Sequence, residues 1–137
     1  MRIKFILIAL LAFMTVVPEM AWAQQKKTTR KKNIAVQLYS VRDLLKGTQT
    51  KEQYDNYMKV LKNLSQMGYT AVEAANYNDG KFYGRTPEEF KKDVESAGMK
   101  VLSSHCGKQL TAEELASGNP DESLKWWDQC IAAHKAA

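Results

Sequence analysis

Cysteine is scarce in this chain, whose 137 residues contain only Cys106 and Cys130. Two cysteines exclude the dense disulfide framework on which many small secreted folds depend. Cys106 falls at the end of a predicted strand and Cys130 within a later predicted helix. We interpret both as buried thiols; a disulfide between them is the alternative in an exported protein.

Motifs for phosphate, nucleophilic and metal chemistry are also missing. No G-x-G-x-x-G or P-loop follows the first predicted strand, which disfavours a doubly wound nucleotide-binding sheet. No H-x-H or H-E-x-x-H spacing indicates a metal centre, and no nucleophile motif is present. Spacing alone therefore assigns neither a catalytic residue nor a metal ligand.

Long hydrophobic runs are limited to one short segment near the N-terminus. Arg2 and Lys4 precede an uncharged, largely apolar run from Phe5 to Val17, and Ala21-Trp22-Ala23 supplies an A-x-A cleavage site. The run is shorter than the roughly 20 apolar residues of a membrane-spanning helix. We predict a signal peptide over residues 1–23 and a periplasmic or secreted protein with no stable membrane span after cleavage.

The positive net charge of +5 comes from the N-terminal region. Residues 24–33 form a basic segment that we interpret as a flexible linker, whereas Asn33 onward contains 13 Lys and Arg against 14 Asp and Glu. A nearly neutral folded part has no basic stripe that would bind phosphates. We therefore expect no nucleic-acid partner.

The remaining residues, 34–137, repeat a strand followed by a helix three times. Strands are predicted over Ile34–Val41, Ala71–Ala75 and Val101–His105 from their β-branched and aromatic residues. Two helices end at Gly68 and Gly98, where glycine adopts a left-handed conformation at little cost. The predicted helix N-termini are Thr50 with Gln53, Thr86 with Pro87 and Glu89, Thr111 with Glu114, and Asn119–Glu122.

This order predicts an α/β fold with parallel strands, and more specifically part of a (β/α)8 TIM barrel. In a TIM barrel the active site lies at the C-terminal ends of the strands. Polar residues lie at or near those ends here, namely Gln37, Tyr39, Arg42, Glu73, Asn76 and His105.

Glu73 is the most informative of these residues, because it interrupts a small, apolar strand where an unpaired carboxylate is costly to bury. It could pair with Arg42 on the neighbouring strand, or both could bind a polyol. Gln37 and Tyr39 alternate with the apolar residues of the first strand, so we expect them to share its other face. His105 is expected on the same face as Val101 and Ser103.

Aromatic residues supply further candidates in the loop after the second strand. Tyr77, Phe82 and Tyr83 lie in that loop and are placed to cover a ligand. Trp126 and Trp127 lie within the last predicted helix, which favours a role in packing.

Three segments together resemble the sugar phosphate isomerase/epimerase family of xylose isomerase-like TIM barrels. They are Ile34–Arg42, Gly68–Glu73 and Val101–His105. The resemblance covers nearly all of 34–137 and implies the N-terminal portion of a larger barrel.

The family resemblance implies that a divalent metal (Mn²⁺, Mg²⁺ or Zn²⁺) binds a small-molecule sugar while glutamates move a proton between carbons. It also implies that the metal ligands lie on later strands, so this chain is expected to be a truncated and inactive fragment. Tyr39, Glu73 and His105, with Gln37 and Arg42, are then substrate-binding residues. The alternative is a non-catalytic, exported carbohydrate-binding or interaction protein on the same barrel.

Overall fold

The computed structural model describes residues 34–137, and the predicted signal peptide and basic linker lie outside the described residues. Its main sheet has three parallel strands, β1 (Ala35–Gln37), β2 (Ala71–Ala74) and β5 (Lys100–Ser104), in the order β1-β2-β5. A helical crossover separates each strand from the next, as parallel pairing requires. The predicted fold class, three consecutive βα units of a barrel, is confirmed.

Within residues 34–137 four α-helices accompany the sheet, and the start of each was predicted from the sequence. They are α1 (Lys51–Gln66), α2 (Pro87–Ser96), α3 (Ala112–Ser117) and α4 (Asp121–Ala136). Thr50, Thr86 and Thr111 close the reciprocal capping boxes of the first three, so backbone N–H groups at each N-terminus are satisfied locally. None of the helices within 34–137 is long and apolar enough to cross a membrane.

Gly68 and Gly98 make the turns that return the chain from a helix to the sheet. Their φ angles are +99° and +87°, which are left-handed values that favour glycine. At Gly98 a Cβ atom would also lie 3.1 Å from Ser65 Oγ, so space and backbone conformation both disfavour a side chain there.

The apolar core lies between the sheet and the helices. Val72 and Ala74 of β2 project into it and are fully buried. Their neighbours come from α1, α2 and the loop between β2 and α2, and include Tyr57, Leu61, Leu64, Phe82, Tyr83, Phe90 and Val94. One buried carboxylate joins the two helices, since Asp93 accepts hydrogen bonds from Tyr54 (2.8 Å) and Arg85 (2.9 Å).

The first strand is shorter than predicted. Pairing with β2 stops at Gln37, and Leu38–Leu44 form a 3₁₀ helix, although the composition of residues 34–41 is typical of a strand. Leu38 is completely buried in the core, and burial of such a side chain outweighs a local strand preference. The prediction that Tyr39 continues the strand is therefore wrong.

The loop after β2 contains structure that the sequence did not reveal. β3 (Tyr77–Asn78) and β4 (Lys81–Phe82) form a short antiparallel hairpin. Phe82 and Tyr83 are buried against Phe90, with ring centroids 5.2 and 5.8 Å from it. Phe82 belongs to the core, so the prediction that it covers a ligand is wrong. Tyr83 packs in the core but also lines a cavity, and the covering of a ligand by Tyr83 or Tyr77 stays a prediction.

Candidate functional site

Three polar side chains form a continuous row across the main sheet. Gln37, Glu73 and Ser103 lie at matching positions of β1, β2 and β5. The Gln37 amide donates to Glu73 Oε1, and the Ser103 hydroxyl donates to Glu73 Oε2 over 2.6 Å. Gln37 and Ser103 are exposed and Glu73 is half-buried. We call these three residues the polar face.

The hydrogen bonds keep the Glu73 carboxylate ionised. The Ser103 hydroxyl has the largest effect in lowering the pKa of Glu73, the Gln37 amide adds to it, and the charge of His105 lowers it further against the opposing effect of partial burial. A carboxylate whose charged form is stabilised in this way is a weak proton acceptor. It is better suited to accept hydrogen bonds from sugar hydroxyls than to remove a proton from carbon.

His105 follows directly after β5 and belongs to the same neighbourhood. Its backbone N–H donates to the Ala74 carbonyl over 2.7 Å, which extends the pairing of β5 with β2 by one bond. The side chain is exposed and lies close enough to Glu73 for a Coulombic interaction that lowers the pKa of that carboxyl. The structure thus brings together Gln37, Glu73 and His105, three of the five residues that the sequence proposed for substrate binding.

Ser103 reaches Glu73 because the pairing of β5 shifts by one residue. Val72 pairs with Val101, but Glu73 pairs with Ser103, so Leu102 is an additional residue. In a regular strand Ser103 would project to the same side as Val101. The prediction that His105 and Ser103 share a face with Val101 is therefore wrong, since Val101 packs against the core and Ser103 lies on the polar face.

Tyr39 and Arg42 form a separate group at the end of β1. The Arg42 guanidinium lies 4.3 Å from the centre of the Tyr39 ring and donates to the Tyr39 carbonyl over 3.1 Å. Both line a cavity of about 230 Å³, together with Leu45, Ala75, Asn76 and Tyr83. The alternative in which Arg42 forms an ion pair with Glu73 does not hold, because the 3₁₀ helix directs Arg42 onto Tyr39.

Sequence reasoning missed two other features with chemical potential. Ser103 was not proposed as a site residue, because a one-residue register shift leaves no signal in a single sequence. The second feature is a cluster of three possible metal ligands, Cys106, Cys130 and His134. Their ligand atoms lie within 4.8 Å of one another. The four-residue spacing of Cys130 and His134 on one helix was the available signal for this cluster.

The polar face does not fit the divalent metal that the family resemblance implies. Within residues 34–137, the one group of three His, Cys, Asp or Glu side chains close enough to share an ion is the cysteine–histidine cluster. At the polar face both oxygens of the Glu73 carboxylate already accept hydrogen bonds. We therefore derive no step of a reaction through a metal at this face.

Comparison with known proteins supports the fold and the family resemblance. Neither a protein-family model nor a curated protein matches the sequence. A crystal structure of a sugar phosphate isomerase/epimerase from Parabacteroides distasonis is similar at 25% identity and a TM-score of 0.55, over 81% of this chain and 37% of that one. A second, of the same description and organism, is similar at 36% identity and a TM-score of 0.45, over 55% and 24%.

The chain thus spans between about a quarter and just over a third of the length of these solved structures. The resemblance of the sequence to the sugar phosphate isomerase/epimerase family is confirmed by the similarity to the first of these structures.

Proposed function

We propose that residues 34–137 supply the first βα units and part of the sugar-binding surface of an isomerase/epimerase-like barrel. The observation that carries this proposal is the hydrogen-bonded row from Gln37 through Glu73 to Ser103, at the strand ends where such barrels bind substrate. Similarity to a solved sugar phosphate isomerase/epimerase supports the class of ligand. The substrate class is a small carbonyl sugar or its phosphate.

Each residue of the site has a distinct role in this proposal. Glu73 accepts hydrogen bonds from sugar hydroxyls, while Gln37 and Ser103 hold its carboxylate in place and add donor and acceptor atoms of their own. His105, exposed beside them, binds a further hydroxyl. Tyr39 and Arg42 line the adjoining cavity, where the guanidinium would bind a negatively charged or oxygen-rich part of the ligand.

Proton transfer between carbons is proposed for the complete barrel rather than for these residues. The divalent metal and the catalytic glutamates would come from chain beyond the three units described here. An ionised Glu73 with a lowered pKa favours binding over proton abstraction. The same observation favours the second candidate, a carbohydrate-binding protein without catalysis. The N-terminal leader sequence supports export as part of either proposal.

Binding is tested by titrating the full chain with ketoses and aldoses, with and without phosphate, and following backbone amide signals by NMR. We expect Glu73→Gln to weaken binding by about tenfold or more, since hydrogen bonds to a charged acceptor are among the stronger ones. Glu95→Gln is the matched control, because Glu95 is exposed on α2. Equal weakening in both variants, or no binding by any sugar, would contradict the proposed site.

Catalysis is tested on the longest natural chain that contains these residues, supplied with Mn²⁺. Interconversion of aldose and ketose, or of epimers, supports the enzyme. Sugar binding with no interconversion across the panel supports the non-catalytic candidate instead.

A further inference from the structure

Cys106, Cys130 and His134 form a cluster that the proposed sugar site does not use. Cys106 lies two residues after β5, and the other two lie one turn apart on α4. The two Sγ atoms are 3.3 Å apart, and Cys106 Sγ is 3.9 Å from His134 Nε2. Both cysteines are free thiols.

From this geometry we propose that the cluster is a zinc site with three protein ligands, Cys106, Cys130 and His134. Two sulfur atoms and one imidazole nitrogen form a ligand set that Zn²⁺ prefers. The proposal goes beyond the sugar-binding function and does not depend on it.

The observed separations are close to those of a tetrahedral zinc centre. With Zn–S near 2.3 Å and Zn–N near 2.0–2.1 Å, a tetrahedron places two sulfurs ~3.8 Å apart and a sulfur and a nitrogen ~3.6 Å apart. The two Sγ atoms would move apart, and Cys106 Sγ and His134 Nε2 together, by roughly half an ångström or less, and every pair of ligand atoms in the cluster already lies within 4.8 Å. A disulfide bond would instead bring the two sulfurs from 3.3 Å to about 2.05 Å.

The histidine is already oriented as a metal-binding imidazole should be. His134 Nδ1 lies 2.6 Å from the Cys130 carbonyl oxygen. Because a carbonyl can only accept, Nδ1 carries the hydrogen, and Nε2 keeps its lone pair toward Cys106. In metal sites, a hydrogen bond from the ring nitrogen that does not bind the metal fixes the tautomer and the ring orientation of a histidine ligand.

The surroundings hold the cluster in place and leave one side open. The rings of Tyr77 and Phe82 lie 5.3 and 5.0 Å from the His134 ring. A cavity of about 330 Å³ adjoins the cluster, lined by the three ligands together with Trp127, Ile131, Lys135 and Ser104. Ser104 Oγ is buried and has no hydrogen-bond partner in the described part of the chain. A fourth zinc ligand, such as water, would face this cavity and could bond to that hydroxyl.

The test measures zinc binding by the full chain after complete reduction of its thiols. Competition with a chromophoric chelator gives the affinity and the stoichiometry, for which we expect one Zn²⁺ per chain. Co²⁺ in place of Zn²⁺ is expected to give the sulfur-to-cobalt charge-transfer absorption that reports thiolate ligands directly. Circular dichroism of each variant shows whether it retains the helices.

Variants locate the ion on these residues. We expect Cys106→Ser with Cys130→Ser to abolish the charge-transfer band, and His134→Asn to weaken zinc binding by about 100-fold. His105→Asn is the matched control, since the other histidine lies beside the polar face, and it should leave the affinity within about twofold.

Three results would overturn the proposal. The first is absence of zinc binding by the fully reduced wild-type chain. The second is a cobalt spectrum without sulfur ligation. The third is unchanged binding in the double cysteine variant, which would place the ion elsewhere in the chain.

Discussion

On the helix-covered side of the sheet, Val72 and Ala74 pack among aromatic and aliphatic side chains, whereas on the opposite side Glu73 accepts hydrogen bonds from Gln37 and Ser103. Val72, Glu73 and Ala74 are consecutive in one four-residue strand. Alternation along β2 therefore directs neighbouring side chains to two environments, one of which stabilises the fold while the other presents chemistry. Substitutions on the helix-covered side should mainly change the stability of the fold, and those on the polar face should mainly change the chemistry of the site.

The largest expected effect belongs to the covered side. Phe90 is fully buried and packs on the rings of Phe82 and Tyr83. We expect Phe90→Ala to lower the free energy of unfolding by about 4 kcal/mol, because it removes apolar contacts and leaves a cavity. Urea unfolding followed by circular dichroism measures this. Leu102→Ala, at a residue 57% exposed, is the control and should cost far less. Similar losses of unfolding free energy in the two variants would contradict the greater contribution of the helix-covered side to stability.

The second largest loss of unfolding free energy is expected when the buried carboxylate on the helix-covered side is removed. Asp93 accepts from Tyr54 and from Arg85, and its side chain is 6% exposed. We expect Asp93→Ala to destabilise the chain by about 3 kcal/mol, because it leaves Tyr54 without its acceptor and Arg85 with a longer contact to Glu89 (3.6 Å) in place of its close ion pair. Asp55→Ala, on an exposed residue of α1, is the matched control in the same unfolding assay. A loss no larger than that of the control would contradict the role of Asp93.

A smaller effect is expected at the start of α2. Thr86 accepts from the Glu89 N–H, and Glu89 returns a hydrogen bond to the Thr86 N–H. Thr86→Ala should cost about 1 kcal/mol of unfolding free energy, whereas Thr86→Ser keeps the hydroxyl and should cost less. Equal losses would show that the methyl group, and not the cap, stabilises the helix.

The smallest effect on stability is expected on the polar face, where the sharpest test is a titration of Glu73. The pKa of Glu73 is lowered from its ordinary 4.5, chiefly by the Ser103 hydroxyl. A lowered pKa stabilises the fold above the ordinary value, and that contribution is lost as the pH falls through the pKa of the folded state. Ser103→Ala should raise the pKa of Glu73 toward 4.5, measured by NMR of the side-chain carboxyl carbon. Ser117→Ala on α3 should leave it unchanged, and an unmoved pKa in both variants would exclude the hydrogen bond.

Much of the fold could be predicted from the sequence because the decisive signals are local. The capping boxes at Thr50, Thr86 and Thr111, and the glycines that end α1 and α2, depend on residues within one helical turn. The parallel order of the strands then follows from the helical crossovers. These features are confirmed.

The site was predicted less completely because it depends on contacts between distant residues. The sequence shows that Glu73 interrupts an apolar strand, but the early end of β1 follows from burial of Leu38, and this sends Arg42 away from Glu73. Burial of Phe82 and Tyr83 depends in the same way on α2, to which Phe90 belongs. The roles in substrate binding of all five proposed residues stay predictions, namely those of Gln37, Tyr39, Arg42, Glu73 and His105.

Leu102 gives β5 an unusual tolerance to changes in length. Removing a residue from a regular strand inverts every side chain that follows. Here the deletion of Leu102 would restore strict alternation and leave Ser103 opposite Glu73, with His105 on the same side. A chain without Leu102 would therefore keep the hydroxyl partner of the Glu73 carboxylate.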